Sequence, residues 1–227
     1  MPLARHALAL LTLCLALPLA ANATGKPAPK TAKAAVGVVV PTPAAPETVA
    51  PPFMLDRAKS VLTFVFKQAG ALTQGRFSRY SVALAEPAEA ATAAATRTIA
   101  VDVDVASLDT ADADRDKTLR EADLFDVAKY PRAKFNAVLT PKAGSNEVTL
   151  DGTLTLRNVA RKLSIPTTLI FSNEGSLRVA SMKGEILLNR LDFGVGQGDW
   201  KSTEWVDNAV RVRFALRLIR AAAKPVK

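Results

Sequence analysis

The chain carries one cysteine and one histidine, and both lie close to its start, at Cys14 and His6. The residues around them predict a secretory signal that is cleaved after Ala23, so neither side chain remains in the exported domain. Without an imidazole or a thiolate, Ser-His-Asp and Cys-His catalysis are excluded, and so are the common zinc sites. We also expect no catalytic residue, no metal site and no cofactor.

Charged side chains of both signs are concentrated between residues 107 and 135. We interpret these side chains as an ion-pair network that fixes the segment as a lid on the domain. This structural role is a simpler explanation than a catalytic role for the acidic residues. The alternative is that Arg115 or Arg120 contacts a polar ligand group, since guanidinium binds phosphate in a bidentate manner. Arg190 and Asp192 carry the same two interpretations. The candidates for this network are Asp109, Arg115, Asp116, Arg120, Asp123 and Asp126.

Two tryptophans, Trp200 and Trp205, flank the polar residues 201–204. An amphipathic indole ring suits a rim that contacts lipid or a membrane, and it equally suits a half-buried position at the start of a strand. The residues alone leave both interpretations open.

Composition divides the chain into four parts. The apolar run 7–20 is too short to span a bilayer and is followed by Ala21-Asn22-Ala23, which is typical of a cleaved signal over residues 1–23. Residues 24–52 are rich in Ala, Pro and Lys and predict a disordered linker. Residues 53–220 form one domain-sized block, and 221–227 form a basic tail. We expect export to the periplasm.

The formal net charge of the chain is +9. A basic exported protein is attracted to anionic membrane surfaces, although the same charge also serves solubility. We expect no nucleic-acid partner, because basic and aromatic residues do not cluster as they do in single-strand binders. A homodimer is left open.

Apolar and polar residues alternate with a period of two through most of the domain. Leu62, Phe64 and Phe66 share one face, and the segments 99–105, 148–156, 163–171 and 210–218 repeat the pattern. Long strands with one apolar face each indicate an all-β sandwich or a closed barrel. The exceptions are 114–126, whose apolar residues have helical spacing and predict a short helix, and the Ala-rich segment 88–96, which suits a helix or a loop insertion.

Four ordered segments resemble the YceI-like family of periplasmic polyisoprenoid-binding proteins. They are GRFSRYS at 75–81, SLDTADADRDKTLREADLFDVAKYPRAKF at 107–135, LDGTLTLRNVARKLSIP at 150–166 and LNRLDFGVG at 188–196. The resemblance spans roughly residues 55–218. Two positions depart from the family pattern. Many members carry a histidine near residues 67–70, where this chain has none, and Asn158 stands where a turn glycine is common, although Asn tolerates a positive φ.

The resemblance implies an eight-stranded antiparallel, lipocalin-like barrel with a short helical segment around 114–126. It also implies an apolar lipid ligand, such as a quinone tail or a prenyl chain, held in the barrel interior. The inward apolar faces alone favour a packed core over a pocket, and the resemblance reverses that preference. The residues expected to bind the ligand are Leu62, Phe64, Phe66, Val101, Val103, Val105, Leu124, Phe125, Leu150, Leu154, Leu156, Phe214 and Leu216.

Three functions are compatible with this sequence. The first is a non-catalytic carrier of an isoprenoid-like lipid, driven by burial of apolar area. The second is an envelope interaction module with a filled barrel. The third is a carboxylate-based hydrolase, which requires two close carboxylates that point inward, whereas the alternation places most acids on the outer face.

Overall fold

The computed structural model describes residues 51–86 and 96–221. The predicted signal at 1–23 and the linker up to residue 50 lie outside the described residues. So do residues 87–95, which hold nearly all of the Ala-rich segment, and the tail beyond Ala221. Ala221 itself still belongs to the last strand, one residue beyond the predicted end of the domain.

Within the described ranges the chain is almost entirely β-structure. The strands are β1 (Phe53–Leu55), β2 (Val61–Gln68), β3 (Ala71–Phe77), β4 (Tyr80–Ala85), β5 (Arg97–Asp104), β6 (Leu108–Asp109), β7 (Arg132–Pro141), β8 (Glu147–Leu156), β9 (Val159–Glu174), β10 (Leu177–Asn189) and β11 (Val206–Ala221). The α-helix α1 covers Ala113–Arg120, and short 3-10 turns lie at Arg57–Lys59, Val105–Ser107, Arg190–Phe193 and Gly198–Lys201.

These strands occupy eight positions in one closed antiparallel barrel. Three positions are each shared by two strands that follow one another along the chain, namely β1 with β2, β3 with β4, and β5 with β6. Every position pairs with its neighbour in sequence, and β11 closes the ring by pairing with both β1 and β2. Closure removes most of the sheet edges, and one stretch that stays unpaired is a gap beside Tyr80 that lies between the Met54–Ala83 and Thr63–Arg76 pairs. The predicted eight-stranded, lipocalin-like barrel is confirmed.

The two ends of the barrel are built differently. The hairpin loops at 142–146 and 175–176, the end of β11 and the start of β1 lie at one end, which we call the closed end. There Phe53, Leu84 and Leu218 are fully buried. The other end, the lid end, carries α1, the turns that follow it, the β2–β3 and β8–β9 turns and the segment 190–205.

The helix is shorter than the expected span 114–126. It begins after Asp112, whose carboxylate accepts a hydrogen bond from the Arg115 N–H, and it ends at Arg120. Beyond it the chain turns back on itself, with Phe125 N–H donating to the Leu119 carbonyl and Asp126 in a left-handed conformation. The predicted short helix is confirmed, although turns and not further helix occupy residues 121–126. No helix within the described residues is long and apolar enough to cross a membrane.

Candidate functional site

A cavity of about 230 Å³ lies inside the barrel. Side chains from all eight strand positions form its wall, and all the surface exposed to it is apolar. The thirteen residues expected to bind a ligand all line this cavity, including Val105, which lies in a 3-10 turn just past β5 instead of in the strand. That these side chains contact a ligand stays a prediction.

Two glycines help to keep the interior open. Gly75 lies opposite Phe64 on the neighbouring strand, and Gly184 lies opposite Phe214. A Cβ atom at Gly75 would come within 2.3 Å of Phe64 Cζ, and one at Gly184 within 2.5 Å of Phe214 Cζ. Each ring therefore lies against the bare backbone of its partner glycine, in space that a Cβ atom would occupy.

Sequence reasoning missed part of the wall. Phe77 and Tyr80 line the cavity although Ser78 and Arg79 interrupt the alternation between them. Phe193 and Val195 line it from the segment after β10, where no period exists to predict an inward direction. The other wall residues outside the expected set are Val82, Ile99, Leu119, Ala133, Phe135, Leu163, Ile165, Ile186, Leu188, Arg190, Val206, Val210 and Val212.

An apolar lid covers the cavity at the lid end. Leu124, Phe193 and Val195 are buried there, and Phe125 and Trp200 pack against them. The lid and the upper barrel share Phe125 and Trp200, which also contact the cluster around Phe64 and Phe66. The segments 119–125 and 193–200 therefore form one cap over the strands.

The two tryptophans have different environments. Trp200 packs within the lid, which matches the half-buried interpretation. Trp205 is 62% exposed, and its carbonyl accepts a hydrogen bond from the Ala69 N–H in the β2–β3 turn. Trp205 thus lies on the rim, next to the turn at residues 67–70 where this chain lacks a histidine.

The charged residues of 107–135 mostly bond to the backbone. Arg115 donates to the hydroxyl and carbonyl of Thr110, and Arg120 donates to the carbonyls of Ala106 and Leu108 at 3.1 and 2.6 Å. Asp116 is buried and accepts from the Thr110 N–H and hydroxyl. These contacts fix α1 to the strand beneath it mainly through backbone and hydroxyl groups, and not through the ion-pair network that the structural interpretation expects.

Three acids of that segment have other surroundings. The Ala111 N–H and the Arg76 guanidinium hold the pKa of Asp109 below its ordinary value. Asp123 uses its carbonyl to accept from the N–H groups of Gly196 and Gln197, which joins the two lid segments. Asp126 forms part of the turn after α1 and accepts backbone hydrogen bonds from Lys129 and Tyr130 through its carbonyl.

Arg190 is the most unusual charged residue of the lid end. It is buried, and its five N–H groups donate to five backbone carbonyls at 2.7 to 3.1 Å. No carboxylate lies in salt-bridge contact with it within the described ranges, and burial lowers the pKa of its guanidinium. The accepting carbonyls belong to Val195, Trp200, Ser202, Val206 and Asp207.

Arg190 therefore organises the segment that carries half of the lid. Gly196 makes this possible, because its φ is +118° and a Cβ atom there would lie 2.0 Å from Arg190 Nη1. The neighbouring Asp192 makes no side-chain hydrogen bond to the described residues. Arg190 therefore bonds to backbone carbonyls instead of the carboxylate that the ion-pair interpretation expects, and it has no donor left for a ligand.

A buried acid at the closed end was not expected from the alternation. The Glu86 side chain is fully buried and bonds to three guanidinium groups, those of Arg97 at 2.9 Å, Arg220 at 2.7 Å and Arg178 at 3.3 Å. The same arginines lie over the rings of Phe53 and Phe171. This cluster closes the barrel end and does not line the cavity. No group of three or more metal-ligating side chains occurs in the part of the chain that the structure describes.

Comparison with known proteins agrees with this architecture. The family model of the YceI-like domain matches residues 53–218, which is all of the barrel except the last three residues of β11. The chain belongs to the YceI-like family. In this YceI-like chain the four resembling segments lie at distinct places in the fold. Residues 75–81 contain the break between β3 and β4, and 107–135 contain α1 and the lid turns that follow it. Residues 150–166 contain the β8–β9 turn, and 188–196 contain Arg190 and Gly196. The family inferred from the sequence is confirmed.

Relatives among curated proteins carry the name UPF0312 protein. The one from Pseudomonas syringae pv. syringae is 38% identical over 111 residues, which are 46% of this chain and 56% of that protein. One from Shewanella baltica is 29% identical over 149 residues, or 63% of this chain and 76% of that protein. The chain thus spans little more than half the length of the Pseudomonas relative.

Solved structures share the fold. BcnA from Burkholderia cenocepacia superposes with a TM-score of 0.63 and 30% identity over 72% of this chain and 98% of BcnA. A polyisoprenoid binding domain from Saccharophagus degradans superposes with a TM-score of 0.57 and 18% identity, over 76% of this YceI-like chain and 99% of that domain. A Campylobacter jejuni YCEI protein superposes with a TM-score of 0.55 and 19% identity, over 66% of this chain and 85% of that protein. At their identities the last two support the fold alone.

Proposed function

We propose that the barrel binds one long apolar lipid of the isoprenoid type, such as a prenyl chain or a quinone tail, and carries it in the periplasm without altering it chemically. The observation that supports this is the cavity wall, to which every strand position contributes and which presents only apolar atoms. Burial of apolar surface is the one interaction such a wall offers. The structural neighbour from Saccharophagus, described as a polyisoprenoid binding domain, has the same fold.

The expected affinity follows from the buried area. Each methylene removed from water contributes about 0.8 kcal/mol, so ten carbons contribute about 8 kcal/mol before entropy costs. This corresponds to a dissociation constant near the micromolar range, about 1 μM. Such binding is strong enough to retain a lipid through purification and weak enough to release it to a membrane.

The two other functions have less support. A hydrolase needs paired inward carboxylates, but no acidic residue lines the cavity. Glu86 is the fully buried acid among the described residues, and three arginines hold it away from the cavity wall. A filled barrel is disfavoured by the open interior itself.

Lipid occupancy is predicted to depend on the β10 side chains that point into the cavity and not on those that point outward. Leu188 lines the cavity, whereas the adjacent Leu187 points outward and is 61% exposed. Leu188→Asp is expected to abolish copurified lipid, because an ionised carboxylate is costly to bury beside a hydrocarbon chain. Leu187→Asp is expected to keep the lipid. Native mass spectrometry of the full exported chain, followed by solvent extraction, measures occupancy and ligand mass together.

Circular dichroism of both leucine variants controls for folding. Should Leu188→Asp fail to fold, Phe64→Leu, which thins the wall without adding charge, is expected to lower occupancy instead. A wild-type protein without any bound apolar molecule contradicts the proposal. The native mass spectra also give the mass of the assembly and so decide between a monomer and a homodimer.

Exchange with a membrane is the second part of the proposed function. Trp205 and Leu72 are 62% and 78% exposed, and both flank the β2–β3 turn at the lid end. Lys67 pairs with Leu72 across the hairpin, and Lys201 precedes Trp205. Exposed apolar side chains beside lysines suit the interface of an anionic bilayer.

Vesicle binding is predicted to decrease when this rim is changed. Trp205→Ser with Leu72→Ser is expected to weaken binding to vesicles containing anionic lipid at least about tenfold, since two apolar side chains no longer enter the interface. Ile170→Ser, another exposed apolar residue at 47% but located on β9 towards the closed end, is the matched control. Equal vesicle binding by wild type, the rim double variant and Ile170→Ser in a sedimentation assay contradicts membrane contact through this rim.

A further inference from the structure

The barrel wall is interrupted between β9 and β10. The ladder that joins these two strands stops at the pair of Thr167 and Gly184. Both strands nevertheless continue towards the lid end. The facing stretches 162–166 and 185–189 form no pairs with each other, although the register of the ladder brings them side by side. We call this unpaired stretch the β9–β10 gap.

Pro166 explains where the ladder stops. In the register of the paired part, Pro166 is the next residue and comes opposite Glu185. Proline has no N–H to donate, so it removes a hydrogen bond from any ladder that it enters. On its other side Pro166 still pairs with Thr149 of β8. β9 therefore stays joined to β8 while its ladder with β10 ends.

The side chains at the β9–β10 gap are apolar on both sides of the wall. Leu163 on β9 and Ile186 and Leu188 on β10 line the cavity, and all three are half-buried. On the outer side, Leu187 is 61% exposed. A hydrocarbon chain that crosses the wall here meets apolar contacts from the cavity to the outer surface.

The two ends of the barrel are held by more bonds than this gap. At the closed end, Glu86 binds three guanidinium groups. At the lid end, Arg190 donates to five backbone carbonyls, and Arg157 donates to the Ala122 carbonyl at 3.0 Å. Opening either end breaks such bonds, whereas widening the β9–β10 gap breaks no strand pair.

The other interruption of the wall has a different lining. The gap beside Tyr80 is lined mostly by polar or cationic residues, among them Arg57 and Arg76. A hydrocarbon chain that passes there displaces water from charged groups without bonding to them, which is unfavourable. Of the two interruptions, the β9–β10 gap is the one suited to an apolar chain.

We infer that the β9–β10 gap is a side portal, through which an apolar lipid chain enters and leaves the barrel while the lid and the closed end stay shut. This inference rests on the proposed function. Passage requires that the half-buried side chains of Leu163, Ile186 and Leu188 move aside, and it leaves the strand ladders intact. The cavity wall then sets the affinity for the lipid, and the gap sets the rate of its transfer.

Two introduced thiols test the portal, since Cys14 is the one cysteine of the chain and precedes the predicted cleavage point. Ser164→Cys with Leu187→Cys places one thiol on each outer edge of the gap. A bis-methanethiosulfonate with a short alkane spacer bridges the two thiols, and a reducing agent removes the bridge. Stopped-flow fluorescence follows the transfer of an anthraniloyl ester of farnesol from the loaded protein to phosphatidylcholine–phosphatidylglycerol vesicles. The bridge is expected to slow transfer at least about tenfold, and reduction is expected to reverse this.

Two further bridges serve as matched controls. Leu187→Cys with Arg211→Cys keeps one thiol and joins β10 to β11, to which it is already paired at these residues. Asp123→Cys with Gln197→Cys joins the two lid segments, where the Gln197 N–H donates to the Asp123 carbonyl at 2.7 Å. Both bridges are expected to leave the rate of transfer unchanged.

The outcomes separate the portal from the proposed function. An unchanged rate in the bridged Ser164→Cys/Leu187→Cys protein overturns the portal, as does equal slowing by the lid bridge. Hydrogen exchange of the unsubstituted protein is expected to be faster on average in residues 185–189 than in 177–184, and uniform protection along β10 overturns the gap itself. A wild-type protein that takes up no farnesyl probe instead contradicts the proposed function.

Discussion

Replacing Arg190 by methionine is expected to lower the free energy of unfolding by at least about 3 kcal/mol, since each buried carbonyl left without a donor costs about 1–3 kcal/mol. The side chain donates to five carbonyls of the segment 195–207. Methionine keeps most of the length and apolar contact of arginine but has no donor. The carbonyls belong to the backbone, so no compensating substitution removes them.

The conservative variant separates charge from geometry. Arg190→Lys keeps the positive charge but offers three donors from one nitrogen, which cannot reach carbonyls arranged around a planar guanidinium. If the hydrogen bonds matter more than the charge, Arg190→Lys is destabilised nearly as much as Arg190→Met. Gly196→Ala provides an independent check, because its Cβ atom would displace the guanidinium from the same position.

Urea denaturation followed by circular dichroism measures these changes. Arg213→Met is the matched control, since the exposed Arg213 guanidinium bonds only to the exposed Glu185 among the described residues, and the midpoint is expected to stay unchanged. An Arg190→Met protein as stable as wild type would show that water replaces the guanidinium, and would remove Arg190 as the organiser of the lid. Lipid occupancy is expected to decrease together with stability, because Phe193 and Val195 depend on the same anchor.

Much of the barrel could be predicted because the alternation of apolar and polar residues lies within each single strand. On β2 and β11 the period of two directly gives the inward face, so Phe64 and Phe214 were assigned to the wall without knowledge of strand pairing. The family resemblance then supplied the strand number, which periodicity does not determine. The turn at Asn158 behaves as its residue type allows, with a φ of +60°.

The parts that were missed depend on long-range contacts. Glu86 follows an ordinary strand, and only the fold brings it to Arg97, Arg178 and Arg220. The carbonyl partners of Arg190 lie in an irregular segment with no period. The gap beside Tyr80 arises because two strand positions are interrupted at the same height, a coincidence that exists only in the paired sheet. Residue types marked these places as unusual but could not give their partners.

Replacing Glu86 by glutamine is expected to destabilise the barrel by roughly 3–5 kcal/mol, the usual cost of removing one partner from a buried ion pair. The carboxylate is fully buried between the guanidinium groups of Arg97, Arg178 and Arg220. Glutamine keeps the shape and one acceptor, but three positive charges would then lie close together without a counter-charge. Their packing over Phe53 and Phe171 offsets only part of that repulsion.

Glu185 on β10 provides a closely matched control. It also bridges two arginines, Arg211 and Arg213, but its side chain is 55% exposed. Glu185→Gln is expected to change the midpoint of urea denaturation little, and any change is expected to vanish at high salt. The loss in Glu86→Gln is expected to persist at 1 M NaCl, because buried charges are screened far less. Equal effects of the two substitutions would contradict a special role for the buried cluster.

The location of Glu86 gives this prediction a structural consequence beyond stability. The cluster joins the ends of β4 and β11 to the starts of β5 and β10, and Phe53 on β1 lies under Arg220. β1 meets β11 through only two residue pairs, so the ring is weakly closed by backbone bonds at this point. Glu86 and its arginines therefore hold shut the end of the barrel that the lid does not cover. In Glu86→Gln, hydrogen exchange is expected to increase first in residues 53–55 and 218–221, before the strands at the lid end open.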